Sequence, residues 1–365
     1  EIIAAKTGSP LVIGIGDGEL FVASDAVGIL NYTKKVVFLE DNQMAILGKN
    51  LQLLRLPKGD KVKPTIHTLS WKFEQVQKGK FKHFFLKEVY EQPTVIENIA
   101  LNYDDETKKF ADLIDKAFGT FMLACGSASH AGIFGTYIFS SVAKKHINFA
   151  IGSEFKYLED YLTPESLLIP ISQSGESIDV IEPVTRAKEK GSKIAAFVNV
   201  LGSTLYRNAD HKILLGAGPE KCVVATKSFI AMIAVLILTA YTFAKKQSEG
   251  KKFLMEASKN VSEILGDNFV RKIKNLVQKL KRKEHMYIIG RGLSYATALE
   301  MTLKLKETSY IHAEGFAGGE LKHGPIALIS KNTPVIALVA NDESKKEIIS
   351  NANEVKARGG YIIGV

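Results

Sequence analysis

Residues 166–191, SLLIPISQSGESIDVIEPVTRAKEKG, contain the pattern that decides the fold. The apolar run from Leu167 to Ile171 has the length of a buried strand. A short turn rich in serine follows it, and apolar residues at helical spacing then continue to Gly191. A strand that enters a helix through a tight polar turn is typical of a parallel sheet covered by helices.

The same order of strand, turn and helix recurs on both sides of this stretch. FMLAC at 121–125 precedes GSASHAG, and the apolar runs KIAAFVNV at 193–200 and KILLG at 212–216 precede further loops and helical stretches. The pattern then restarts, because HMYIIGRGLSYATALE at 285–300 repeats the form of FMLACGSASHAGIFGT at 121–136. We therefore predict an α/β fold with two tandem doubly wound parallel-sheet modules, over 104–260 and 261–365, the second of them truncated.

The N-terminal residues show a different hydrophobic pattern. Short apolar runs separated by glycine and aspartate fill residues 11–47, which predicts antiparallel strands joined by tight turns. Residues 50–100 are mixed and charged and contain Pro93. We expect a separate segment over 1–75 and a linker over 76–103.

Composition excludes several classes of protein. No apolar run reaches the roughly 18 residues of a membrane span, and no basic-then-apolar leader opens the chain. Two cysteines, Cys125 and Cys222, cannot form a disulfide framework, so we expect a cytoplasmic protein without a membrane partner. The net charge of +9 comes from scattered lysines, which does not favour a nucleic-acid partner. The eight histidines show no ligand spacing, so no metal and no cofactor are expected.

The segment Ser172-Gln173-Ser174-Gly175-Glu176-Ser177 is the sharpest local signal. It lies between a strand and a helix, where hydroxyls, free backbone N–H groups and the helix dipole favour a phosphate dianion. The alternative is an ordinary helix cap, but a cap needs one hydroxyl rather than three. Gly126-Ser127 forms the equivalent turn after the preceding strand. The absence of GxGxxG argues against a dinucleotide there.

Ionisable residues are dense between Glu300 and His323. Glu300, Lys304 and Glu307 fall at i, i+4 and i+7, so they share one helix face. A surface ladder of ion pairs is the alternative. A carboxylate, an amine and an imidazole near a phosphate loop are also what aldose–ketose interconversion requires.

Several segments together resemble the glutamine:fructose-6-phosphate aminotransferase (glucosamine-6-phosphate synthase) family. They are VYEQP at 89–93, CGSAS at 125–129, SQSGES at 172–177, GPEKCVVATKS at 218–228 and LEMTLKLKETSYIHAEGFAGGELKHGP at 299–325. KTGSPLVIGIGDGELFVASD at 6–25 resembles the last strands of that family's N-terminal-nucleophile glutaminase domain, and the remainder resembles its two sugar isomerase (SIS) modules. SQSGE alone would indicate only an SIS domain.

The resemblance implies roles for ten residues. The phosphate of fructose 6-phosphate or glucose 6-phosphate would be bound by Ser127, Ser172, Gln173, Ser174 and Ser177, and Val223 and Ala225 would line the sugar site. Glu307 would move the proton between C1 and C2, and Lys304 would assist at the C2 oxygen. His323, from the partner subunit of a homodimer, would open the sugar ring.

The resemblance also implies the reaction: glucosamine 6-phosphate is made from fructose 6-phosphate and ammonia from glutamine, the first step of hexosamine biosynthesis. Three departures from the family matter. Ser127-Ala128 stands where the family has Thr-Ser, Ala225 stands where Ser is common, and the glutaminase nucleophile and the C-terminal lysine of the family have no counterpart in these residues. An SIS-type amino-sugar-phosphate deaminase or deglycase, or a sugar-phosphate sensor, are the alternatives. The N-terminal segment disfavours the first, and the presence of both Glu307 and His323 disfavours the second.

Overall fold

The computed structural model describes residues 1–8, 10–69, 71 and 76–365. Its N-terminal part consists of eight strands: β1 (Ile2–Lys6), β2 (Val12–Ile15), β3 (Leu20–Ala23), β4 (Lys35–Phe38), β5 (Gln43–Leu47), β6 (Leu51–Arg55), β7 (Asp60–Val62) and β8 (His67–Thr68). They form two four-stranded antiparallel sheets, in the orders β1-β5-β6-β7 and β3-β2-β4-β8. Ile13 and Val37 of one sheet share a buried apolar cluster with Ala45 and Leu53 of the other. The prediction of antiparallel strands is confirmed, whereas the expected boundary at residue 75 lies outside the described residues.

The first α/β module follows. Its elements are α1 (Phe84–Asn102), α2 (Asp104–Lys116), β9 (Thr120–Ala124), α3 (Ser127–Ile138), β10 (Asn148–Ile151), β11 (Leu167–Ser172), α4 (Ile178–Glu189), β12 (Lys193–Val198), α5 (Thr204–Asn208), β13 (His211–Leu214), α6 (Lys227–Phe243) and α7 (Gln247–Ile264). The five strands are parallel in the order β10-β9-β11-β12-β13. Every residue of β9 and β11 is buried, because apolar clusters cover both faces of the sheet.

This strand order creates a crevice. The chain passes from β9 outward to β10 and then returns to β11 on the other side of β9. The connections after β9 and β11 therefore leave in opposite directions. In open parallel sheets the ligand site lies at such a switch point, outside the carboxyl ends of the strands.

The second module has the same plan. It contains α8 (Asp267–Leu280), β14 (His285–Gly290), α9 (Leu293–Ser309), β15 (His312–Ala317), β16 (Pro334–Ala337), α10 (Lys345–Ala357) and β17 (Tyr361–Gly364). Its parallel sheet has the order β15-β14-β16-β17, equivalent to the first four strands of the other module. The prediction of two tandem doubly wound modules is thus confirmed. Among the helices that the structure describes, none combines the length and apolar character that a membrane crossing requires.

Helix α1 differs from the expectation, because it occupies most of the stretch 76–103 that we assigned to a linker. Its residues Val95, Ile96 and Ile99 are buried in the core of the first module. Pro93 stands inside the helix, and some of its apolar residues are exposed while some of its charged residues are buried, which hides the apolar spacing in the sequence. We therefore count α1 as part of the first module.

The packing of α1 gives a prediction with a matched control. Ile99 is fully buried, whereas Leu101 on the same helix is 54% exposed. Ile99→Ala should lower the free energy of unfolding by about 2–5 kcal/mol, because it leaves a cavity in the core. Leu101→Ala should change it by less than about 0.5 kcal/mol. Urea unfolding followed by circular dichroism measures both, and equal small effects would mean that α1 is peripheral.

Candidate active site

A cavity of about 270 Å³ opens at the carboxyl ends of β9 and β11, at the switch point of the first sheet. Eight of the ten residues that sequence analysis selected line it: Ser127, Ser172, Gln173, Ser174, Ser177, Val223, Ala225 and Glu307. Cys125 and Ala128 line it as well. Ala128 places a methyl group on this wall, where a serine would offer a hydroxyl.

One wall is the loop between β11 and α4. The Ser172 hydroxyl accepts a hydrogen bond from the Gly175 amide at 3.0 Å and lies 3.3 Å from the Ser177 hydroxyl. The Ser174 hydroxyl accepts from the Glu176 amide at 3.2 Å. These bonds order the loop, and its position before α4 directs a helix N-terminus toward the cavity, which favours an anion.

Glycine is required within this loop. Gly175 has φ +67°, a left-handed conformation that side chains disfavour, and a Cβ there would overlap the Ser203 hydroxyl. The Gly175 carbonyl accepts from the Leu205 amide at 3.0 Å, so the loop lies directly on α5.

The opposite wall comes from α9 of the second module. Lys304 Nζ lies 2.7 Å from Glu307 Oε2 and 3.2 Å from Glu300 Oε1. It donates to the Ser127 hydroxyl at 2.9 Å and to the Ala225 carbonyl at 3.3 Å. Lys304 does not itself line the cavity, yet its ammonium joins the carboxylate on one wall to the first turn of α3 on another. The helix face predicted from the i, i+4, i+7 spacing is therefore an ordered ion-pair cluster at the cavity and not a solvated surface ladder.

His130 completes this cluster, and no motif in the sequence indicates it. His130 Nδ1 lies 2.7 Å from Oε2 of Glu300, whose side chain is only 8% exposed. An ionised carboxylate only accepts hydrogen bonds, so the imidazole N–H donates. His130 follows Ser127 by one turn of α3, and that spacing is the only signal in the sequence, because its partner is 170 residues away.

The loop at 218–228 presents Val223 and Ala225 to the cavity. Three carboxylates, those of Glu88, Glu91 and Glu220, hold the backbone and the ends of this loop in place. Glu88, on α1, accepts from the amides of Lys221 and Cys222 at 2.7 and 3.0 Å. Burial raises the pKa of the Glu88 carboxyl, and these two hydrogen bonds act in the opposite direction.

The other two carboxylates act at the end of this loop. Glu220 accepts from the Thr226 amide at 2.9 Å and from the Ser228 amide at 3.1 Å. The buried Lys227 ammonium lies 2.6 Å from Glu91 of α1. Val223 itself is 98% exposed and stands at the rim of the cavity.

His323 is not brought into this cavity within one chain. It is exposed at the end of the 3-10 helix Gly318–His323 and is not among the lining residues. Its assignment to a partner's site stays a prediction. In the described part of the chain, no group of three or more His, Cys, Asp or Glu side chains is arranged to hold a metal ion.

The family model described as the SIS domain matches residues 112–241 and 279–365. The glutamine–fructose-6-phosphate aminotransferase [isomerizing] of Caldanaerobacter subterraneus is 38% identical over 99% of this chain, and that of Thermococcus kodakarensis is 38% identical over all of it. In both cases the match spans 62% of the relative's length.

Two solved structures are also similar. The C-terminal domain of the glucosamine-fructose-6-phosphate aminotransferase of Francisella tularensis has a TM-score of 0.71 at 35% identity, over 79% of this chain and 85% of that chain. The glucosamine-6-phosphate deaminase of Thermotoga maritima has a TM-score of 0.62 at 22% identity, over 78% of this chain and 85% of that chain. The second likeness shows the fold alone.

The contact between His130 and Glu300 gives a prediction. His130→Ala should lower the free energy of unfolding by about 1–3 kcal/mol, because a buried carboxylate loses a hydrogen-bond donor. His130→Asn should restore most of this loss, since its amide nitrogen stands near the position of Nδ1. The exposed His146, which hydrogen-bonds with Asn148, is the control, and His146→Ala should have little effect in urea unfolding. Equal effects of the two alanine variants would contradict the role of the contact.

Proposed function

The chain belongs to the SIS domain family, and from this premise we propose that it contains the sugar-phosphate isomerase part of a glutamine–fructose-6-phosphate aminotransferase. The observation behind this proposal is the cavity at β9 and β11, where a serine-rich loop faces the Lys304–Glu307 pair. The product would be glucosamine 6-phosphate, from fructose 6-phosphate and glutamine-derived ammonia.

The loop between β11 and α4 would bind the phosphate. Ser172, Ser174 and Ser177 offer hydroxyls, and Gln173 offers an amide, at the N-terminus of α4. Ser127 would contribute from the first turn of α3. Hydrogen bonds to a charged phosphate are stronger than those between neutral groups, and the helix dipole adds to them.

The reacting end of the sugar would lie against α9. Glu307 would accept the proton at C1 or C2 and return it at the neighbouring carbon, which converts ketose and aldose. Lys304 does not line the cavity, but it donates to Ser127, which does, and from this position it would assist at the C2 oxygen. Glu300 and His130 would hold the ammonium in place, so that Lys304 faces both Glu307 and the substrate.

The N-terminal segment favours an aminotransferase over a deaminase. The aminotransferase relatives match over 99–100% of the chain, which includes the antiparallel sheets whose strands lie between residues 2 and 68. We assign these sheets to the end of a glutaminase domain and place the reaction in the cytoplasm, where Cys125 and Cys222 would stay reduced.

We further propose a homodimer in which His323 opens the sugar ring in the partner's site. His323 is exposed and lies outside the cavity of its own chain, which favours action across a two-fold interface.

The role of Glu307 can be tested by substitution. Glu307→Gln should abolish exchange of the C2 proton of glucose 6-phosphate with deuterium and leave sugar binding nearly intact, because glutamine keeps the shape but cannot take the proton. Proton NMR measures the exchange and calorimetry measures the binding. The exposed Glu314→Gln is the charge-matched control and should exchange like the wild type. Wild-type exchange by the Glu307→Gln protein would exclude Glu307 as the base.

The shared site can be tested by mixing subunits. Glu307→Gln and His323→Ala proteins, each inactive alone, should regain activity after subunit exchange. In a mixed dimer one site contains both lesions and the other contains neither. Since statistical exchange makes about half of the dimers mixed, roughly a quarter of all sites should recover. No recovery, with exchange verified by mass spectrometry, would place His323 in the same subunit's site as Glu307.

A further inference from the structure

A second cavity, of about 320 Å³, lies between the N-terminal sheets and the first α/β module. Residues of β4 to β8 line one side, and Tyr206, Arg207 and Lys212 of the α/β module line the other. It shares no lining residue with the candidate active site. Nothing in the proposed reaction uses it.

Cations outnumber acids around this cavity. Arg55, Lys63, Arg207 and Lys212 line it, against the single carboxylate of Glu40. The Glu40 carboxylate already has partners, because it lies 3.7 Å from the Arg55 guanidinium and accepts a hydrogen bond from the side-chain amide of Gln43 at 3.1 Å. Within the described residues, no carboxylate lies within 4 Å of the charged groups of Lys63, Arg207 or Lys212.

Arg207 is the half-buried member of this group. Its two terminal nitrogens donate to the Gly202 carbonyl and the Thr204 hydroxyl, which leaves three of its five N–H groups for other partners. Burial lowers the pKa of Arg207, while the charges of Glu176, Glu40 and Asp41 act in the opposite direction. Removing a guanidinium from water without an ion-pair partner costs free energy. An anion bound in the cavity would reduce this cost.

The His67 imidazole lies in the electrostatic field of the same positive charges. Its pKa is lowered by burial and then by the positive charges of Arg207 and Lys212. A bound anion would offset both charges and raise this pKa.

We propose that this cavity binds a small phosphate-bearing anion through Lys63, Arg207 and Lys212. Its volume is in the range of small-molecule sites. The planar fork of an arginine matches two phosphate oxygens, and two lysine ammonium groups on opposite modules supply the remaining positive charge. An anion held from both sides would also draw the N-terminal sheets and the α/β module together.

The cavity is connected to the candidate phosphate loop through α5. The Thr204 amide donates to Glu176 Oε1 at 2.9 Å, and the Leu205 amide donates to the Gly175 carbonyl at 3.0 Å. Arg207 lies on the same short helix. An anion that binds Arg207 would therefore shift the backbone of α5, which supports the loop between β11 and α4. This linkage rests on the proposed function. By thermodynamic reciprocity, the cavity ligand and fructose 6-phosphate would then change each other's affinity by the same factor.

The test follows the His67 imidazole by NMR, with inorganic pyrophosphate as the probe and citrate as a phosphate-free polyanion. Pyrophosphate should raise the apparent pKa of His67 in a saturable manner, and citrate should do so much more weakly. The double variant Lys63→Gln/Lys212→Gln should bind pyrophosphate at least about tenfold more weakly. The double variant Lys272→Gln/Lys279→Gln on α8 removes the same charge at exposed positions that do not line the cavity and should bind normally.

Three results would overturn the site: an unresponsive His67, equal weakening by the two double variants, or equal binding of citrate. Because His67 lines this cavity and not the candidate active site, the result is independent of whether Glu307→Gln abolishes proton exchange, which tests the proposed function separately. Pyrophosphate at saturation should also change the calorimetric affinity of the wild type for fructose 6-phosphate by more than it changes that of the Lys63→Gln/Lys212→Gln protein. An unchanged affinity would overturn the linkage through α5.

Discussion

The Lys304 ammonium is the group on which the two modules and the candidate active site depend. It projects from a helix of the second module, contacts Glu300 and Glu307, and donates to Ser127 and the Ala225 carbonyl of the first. A partly buried ammonium requires such a set of partners, because each charge removed from water must regain its solvation from the protein. The contacts of the Lys304 ammonium therefore fix the relative positions of α3, α9 and the loop at 218–228. These three elements together form one side of the cavity.

The same logic explains the buried charges around the loop at 218–228. Apolar packing alone would leave the backbone N–H groups of Lys221, Cys222, Thr226 and Ser228 without partners. Glu88 and Glu220 accept from them instead. A loop fixed in this way keeps Val223 and Ala225 at the rim without the rigidity of a helix or strand. Helix α1 thus supports the candidate active site, since it supplies both Glu88 and the partner of Lys227.

Local patterns made most of the fold and the position of the serine-rich loop predictable. A buried strand, a glycine-containing turn and a helix are neighbours in sequence, so the two modules and the serine-rich loop could be derived from spacing alone. The remaining features depend on contacts between distant segments. The burial of α1 is hidden by Pro93 and by the mixture of apolar and charged residues on both of its faces, and the pairing of His130 with Glu300 joins residues 170 positions apart. The cavity beside Arg207 forms only where the N-terminal sheets meet the first module.

The central claim is that the loop between β11 and α4 binds a sugar phosphate, and calorimetric titration with fructose 6-phosphate tests it most directly. Wild-type protein should bind, and Ser174→Ala should bind about ten- to hundred-fold more weakly, because a hydrogen bond to a charged phosphate is lost. Ser248→Ala, an exposed serine on α7, should bind like the wild type. Equal affinities for wild type and Ser174→Ala, or no binding by the wild type, would contradict the account.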